Sequence, residues 1–184
     1  SNEKECGQAI RASGIARENL FVTTKVLHGT EWDNPAVNTV LPAIEDSLKL
    51  VRNFKGGKSL MFAFEGGYHG RTLGASSITS SYRYRRRYGH FSDRAQFIPF
   101  PYHFRGVKGM TKEEYGDHCL REFARLFETE YYGVWDPKVK EAEYAAFYVE
   151  PLQGTGGYVV PPMNYFKGLK KILDDHGILM VVDE

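Results

Sequence analysis

The stretch Leu60-Met61-Phe62-Ala63-Phe64-Glu65-Gly66-Gly67-Tyr68-His69-Gly70 decides the fold. Five apolar residues predict a short buried strand, and the turn after them is too rich in glycine to be an ordinary linker. The pattern recurs downstream. Ala145 to Val149 runs into Glu150-Pro151-Leu152-Gln153-Gly154-Thr155-Gly156-Gly157, and Ile178 to Val182 runs into Asp183. Leu20–Val26 and Gln96–Phe100 read as further strands. Helical patterns lie between them: Glu3–Ser13; a segment marked by Val40, Ile44, Leu48 and Val51; and a segment opened by the capping box Thr111/Glu114 that runs to about Thr129. A last helix covers Asn164 to His176, with Phe166, Leu169, Ile172 and Leu173 on one face. Leu27–Pro35 and Tyr131–Glu143 read as irregular. Strands alternating with helices predict an α/β fold with a mostly parallel sheet.

Charge and composition narrow the function. Lys and Arg number 24 against 23 Asp and Glu, a net charge of +1, which argues against a protein that coats nucleic acid. No apolar run approaches the roughly 20 residues that a membrane-spanning helix needs. Cys6 and Cys119 lack any paired spacing, so a reducing, cytoplasmic setting is expected and no metal knuckle is indicated. The basic run Tyr82-Arg83-Tyr84-Arg85-Arg86-Arg87-Tyr88 could follow a phosphate backbone, but the near-neutral total favours a solvated or subunit-contact surface. The chain opens at Ser1 without a leader and stops just past a buried strand, so it reads as a fragment.

Ligands of open parallel sheets bind outside the carboxyl ends of the strands. Three of the expected strands end there in polar or glycine-rich residues: Gly67, Tyr68 and His69 after the first, Glu150 and Gln153 after the second, and Asp183 after the third. An aromatic ring, two carboxylates and an amide converging on one crevice suit a flat, polar, charged cofactor.

From about Leu48 to Glu184 the chain resembles the class III (omega) aminotransferases, which use pyridoxal phosphate on a fold type I scaffold. The resemblance rests on Lys49-Leu50-Val51-Arg52, Phe64 to Thr72, Val149 to Gly154, and His176-Gly177-Ile178-Leu179 leading to Asp183-Glu184, in that order. It implies that residues 49–184 are part of the cofactor-binding large domain, with an incomplete sheet. It implies that Tyr68 stacks on the cofactor ring, that Asp183 pairs with the ring nitrogen, and that Glu150 shapes the substrate side. His69, Gly67 and Gln153 would border the cofactor. It further implies an amine and a keto acid as substrates and a homodimer in the intact enzyme. The sequence departs from the family in three places. Thr39-Val40-Leu41-Pro42 stands where the phosphate-binding turn belongs, with Gly29-Thr30-Glu31 about ten residues too early; Thr155 replaces a frequent Glu; and the lysine that binds the cofactor covalently would lie downstream of Asp183.

Residues 1–48 resemble something else. Asn2 to Ile10, Ser13-Gly14-Ile15 and Arg17 to Lys25 are similar to an aldo-keto reductase, a family in which Lys25 would match a catalytic residue and NADPH would be the cofactor. That resemblance carries an alternative function, carbonyl reduction, or an inactive fusion of two unrelated pieces meeting between Glu45 and Arg52.

Overall fold

A computed structural model describes residues 21–23, 43–87 and 95–183. Its centre is a five-stranded, wholly parallel sheet in the order β1-β7-β6-β2-β3, built from β1 (Phe21–Thr23), β2 (Leu60–Phe64), β3 (Ala95–Ile98), β6 (Tyr144–Val149) and β7 (Leu179–Asp183). The α-helices among the described residues are α1 (Ala43–Phe54), α2 (Leu73–Ile78), α3 (Tyr82–Arg85), α4 (Lys112–Ala124) and α5 (Tyr165–Asp175). A small antiparallel hairpin joins β4 (Trp135–Asp136) to β5 (Glu141–Ala142).

The period of two along the strands explains the layers. Phe62 and Phe64 of β2 and Phe147 and Val149 of β6 face one side, where they form a core with Phe123 of α4 and with Tyr165, Leu169 and Leu173 of α5. This face is rich in aromatic rings: Phe62 stacks on Tyr144 at 3.9 Å and meets Phe123 edge-on at 5.3 Å. The alternate residues Met61, Ala63, Ala146, Tyr148 and Val181 face the other side, against Ile44, Leu48 and Val51 of α1 and Ala75 and Ile78 of α2. With helices on both faces, every strand can be apolar, as β2 and β6 are.

Local signals set the element ends. Thr111 and Glu114 form the expected capping box, Thr111 Oγ1 accepting the Glu114 N–H at 3.2 Å and Glu114 Oε2 accepting the Thr111 N–H at 2.8 Å. The helix that follows is shorter than expected, passing at Arg125–Phe127 into a 3₁₀ turn. After α5, Gly177 adopts φ +64°, the left-handed stop that favours glycine, and β7 begins two residues on. The segment expected to be irregular holds the β4–β5 hairpin, while the Ser/Thr-rich and arginine-rich stretch folds into α2 and α3.

Phe21–Thr23, from the stretch that resembles a reductase, pairs in parallel with β7, Thr23 opposite Asp183. The expected helix Glu3–Ser13, the loop Leu27–Pro35, Lys25, Gly29-Thr30-Glu31 and Thr39-Val40-Leu41-Pro42 lie outside the described residues.

Candidate cofactor site

The carboxyl ends of β2, β6 and β7 lie side by side in the sheet and bring the sequence candidates together there. The turn after β2 is fixed first. Gly66, at φ +78°, donates its N–H to Ser80 Oγ at 2.6 Å, and a Cβ on it would come 2.9 Å from Gln153 Oε1. A Cβ on Gly67 would come 2.9 Å from the Phe64 carbonyl oxygen, so a side chain at either position would push the turn off its neighbours. The His69 N–H donates to Thr79 Oγ1 at 2.9 Å, and that hydroxyl donates to the Gly70 carbonyl at 3.1 Å.

This backbone aims His69 across β6 at β7. His69 Nδ1 lies 2.9 Å from Asp183 Oδ2, and both side chains are buried, Asp183 completely. Beside the pair stands Tyr148, its ring edge-on to the imidazole with centroids 6.1 Å apart. Ser47 Oγ donates to the Ile44 carbonyl, leaving the Tyr148 hydroxyl to donate to Ser47 Oγ at 3.1 Å. Burial pushes the Tyr148 phenol well above its ordinary range.

Glu150 is 5% exposed and acts as a brace between the two glycine-rich turns. Its Oε2 accepts the Tyr68 N–H at 2.9 Å and its Oε1 the Gly154 N–H at 3.4 Å. Gln153 joins the same turns, Nε2 donating to the Glu65 carbonyl at 2.7 Å while its backbone pairs with Val159. Tyr68 itself is half-buried, its ring 4.7 Å from that of Tyr84.

Several contributors were not singled out from the sequence. Thr79 and Ser80 hold the turn, and Glu45 Oε1 caps α2 by accepting the Gly74 N–H at 2.6 Å. Arg71 has its pKa held above the ordinary value by the nearby phenols of Tyr68 and Tyr84, and its guanidinium lies 4.6 Å over the Tyr84 ring. The hydroxyl-rich run Thr79-Ser80-Ser81 just beyond the glycines was the available signal for the first two.

The site passes a chemical test for a pyridine-ring cofactor. A completely buried carboxylate held by an imidazole stands at the strand edge, where it can meet a ring N–H. His69 Nε2, also buried, has no hydrogen-bond partner among the described residues. Glycine at positions 66 and 67 lets the turn pack closely on Gln153 and on the Phe64 carbonyl. A separate groove of about 690 Å³ runs between the loop Tyr102–Glu113 and the loop Gly157–Met163, to one side of this cluster.

Comparison with known proteins follows the same lines. The chain is 40% identical over 143 residues to an alanine/serine racemase of Pyrococcus horikoshii, and 34% identical over 177 residues to a leucine/methionine racemase of Thermococcus litoralis. These matches take in 77% and 93% of the chain but only 29% and 37% of the relatives, so the chain spans about a third of their length. An (S)-enantioselective omega-transaminase from Thermomicrobium roseum superposes with a TM-score of 0.66 at 30% identity, over 76% of this chain and 30% of the other. A PLP-bound amine transaminase from an uncultivated Pseudomonas species gives 0.64 at 26% identity, over 77% and 31%. The likeness to an aldo-keto reductase at residues 1–48, and with it Lys25 and NADPH, gains no support, and the family match below reaches back to residue 30. The parallel α/β sheet, the cluster at its carboxyl edge and a match of residues 30–184 to the family described as Aminotransferase class-III agree, and the chain belongs to the class III aminotransferases.

Proposed function

We propose that residues 49–184 form part of the cofactor-binding large domain of an enzyme that uses pyridoxal phosphate to move an amino group from an amine or omega-amino acid to a keto acid. The observation that carries this reading is the convergence of Tyr68, His69 and Asp183 at the carboxyl edge of the sheet. Pyridoxal phosphate, when bound, supplies an electron-withdrawing ring that stabilises negative charge at the substrate carbon bearing nitrogen. Asp183 holds a proton at the ring nitrogen, and His69 fixes the carboxylate through Nδ1. Tyr68 covers the ring. Glu150 and Gln153 set the height of Tyr68 by tying its turn to the one after β6.

A homodimer and a cytoplasmic setting belong to the same reading. Phe104, Tyr158 and Met163 stand 85, 82 and 88% exposed around the groove, an apolar surface of the kind that subunits cover. No helix among the described residues is long and apolar enough to cross a membrane.

The two racemase relatives favour a second reading, inversion at an amino acid α carbon without net transfer of nitrogen. One experiment addresses both. The intact enzyme, including the downstream segment expected to carry the cofactor lysine, is mixed with pyridoxal phosphate, and its visible absorbance and intact mass are read before and after borohydride reduction, then with a single L-amino acid. Transfer predicts keto acid in step with loss of the bound cofactor's visible band; racemisation predicts D-amino acid with no keto acid. A chain that does not change the cofactor's spectrum at all contradicts both.

A further inference from the structure

Between Gly66 and Arg87 the chain carries five arginines, Arg71, Arg83, Arg85, Arg86 and Arg87, and no carboxylate, although its net charge is only +1. Positive charge is therefore concentrated on one segment, and that segment is α3 with its flanks. Arg83, Arg86 and Arg87 are exposed, and among the described residues no carboxylate pairs with any of them. By contrast, Lys49, Lys58, Arg125, Lys170 and Lys171 each meet an acid within 3.2 Å. Like charges gathered this way repel one another and do not stabilise the fold. Packing does not account for the three guanidiniums, since the aromatic contacts of this region among the described residues belong to its other arginines: Arg71 lies over Tyr84 and Arg85 over Phe97.

Their location gives them a use. Tyr84 sits between Arg83 and Arg85 in α3, and its ring lies 4.7 Å from that of Tyr68, the residue assigned to cover the cofactor. The basic run is thus joined directly to the wall of the candidate site. We propose that Arg83, Arg86 and Arg87 form an electrostatic collar that draws phosphorylated and carboxylated small molecules, the cofactor first among them, into the crevice at the carboxyl edge of the sheet. This rests on the function proposed above and adds a kinetic element to it. Unpaired cations raise the encounter rate with an anion without touching it in the bound state. They therefore act on association and leave dissociation alone, and the effect weakens as the Debye length shrinks from about 30 Å at 10 mM salt to less than 10 Å above 100 mM.

The test is stopped-flow association of pyridoxal phosphate with the whole chain, followed by quenching of intrinsic fluorescence at low and high salt. The parent is compared with a variant carrying Arg83→Gln, Arg86→Gln and Arg87→Gln, and unphosphorylated pyridoxal serves as the weakly charged probe. For the parent, the association rate should fall by about tenfold between the two salts. The variant should associate roughly three- to tenfold more slowly at low salt and show a flattened salt dependence, with dissociation unchanged. Pyridoxal should not distinguish the two proteins. Equal association rates and equal salt slopes for parent and variant overturn the collar while leaving the site intact. Failure of the parent to bind pyridoxal phosphate at either salt overturns the site and the collar together. The parent's own salt slope is informative without the variant: a flat slope is enough to reject the proposal.

Discussion

Replacing Glu150 tests whether its carboxylate braces the two turns. In Glu150→Ala, the Tyr68 N–H loses its acceptor at 2.9 Å and the Gly154 N–H its weaker one at 3.4 Å. A hydrogen bond to a charged group in a nearly buried site contributes about 1.5–3 kcal/mol, and the long second contact adds little. For a domain of this size each kcal/mol corresponds to about 2–4 °C in Tm, so the alanine variant should melt about 3–12 °C below the parent. Glu150→Gln keeps one acceptor oxygen for the Tyr68 N–H and should lose only about 1 kcal/mol. Thermal and urea unfolding of the three proteins, followed by circular dichroism, supply the numbers. Because the brace holds Tyr68, the alanine variant should also bind pyridoxal phosphate more weakly, by a larger factor than the glutamine variant. If alanine and glutamine variants both unfold with the parent and bind cofactor alike, the carboxylate is no brace and the account of the turn is wrong.

Other consequences are as direct. Gly67→Ala places a methyl group 2.9 Å from the Phe64 carbonyl oxygen and should cost about 1–3 kcal/mol, measurable by urea unfolding, with Gly154→Ala, in open space, as the milder control. Tyr148 and Tyr165 are held protonated by burial at pH values where the unfolded chain ionises, so their contribution is complete below pH 10.0 and is lost as pH rises above it. The expected slope is about 1.4 kcal/mol per pH unit for each phenol, read from urea midpoints across the alkaline range. Tyr165→Phe removes a buried hydroxyl that has no partner among the described residues; it should raise stability at neutral pH and reduce the alkaline slope by one phenol's share. Glu114 has its pKa lowered from 4.5 by the Thr111 N–H, so the capping box stabilises above that value and weakens as pH falls through the lowered one. Melts of parent and Glu114→Gln at about pH 5 and about pH 3 should therefore converge at the lower pH.

What the sequence revealed and what it hid follow from the range of each interaction. Leu60–Phe64 is apolar throughout because the strand has helices on both sides, and such a run can be read without knowing the partners. The Thr111–Glu114 box spans three residues and is equally legible. The β4–β5 hairpin was missed because each strand is two residues long and Glu141 breaks any apolar pattern. The His69–Asp183 pair could be anticipated as two residues at one sheet edge, but not as a contact. It needs the order β7-β6-β2 and a turn that carries the imidazole over β6. Glu45 on Gly74 and Ser80 on Gly66 are likewise products of packing, with no local signature. Tyr84 reads in the sequence as part of a basic surface because its role depends on a ring contact with Tyr68 that only the fold creates.

The central claim is that the carboxyl edge of β2, β6 and β7 holds the cofactor, and the most direct measurement is an amide NMR titration of the chain with pyridoxal phosphate. The account predicts that the signals of Gly66, Gly67, Tyr68 and Asp183 shift together with increasing cofactor. Shifts confined to Val107–Glu113 and Tyr158–Met163, the residues of the neighbouring groove, would contradict it.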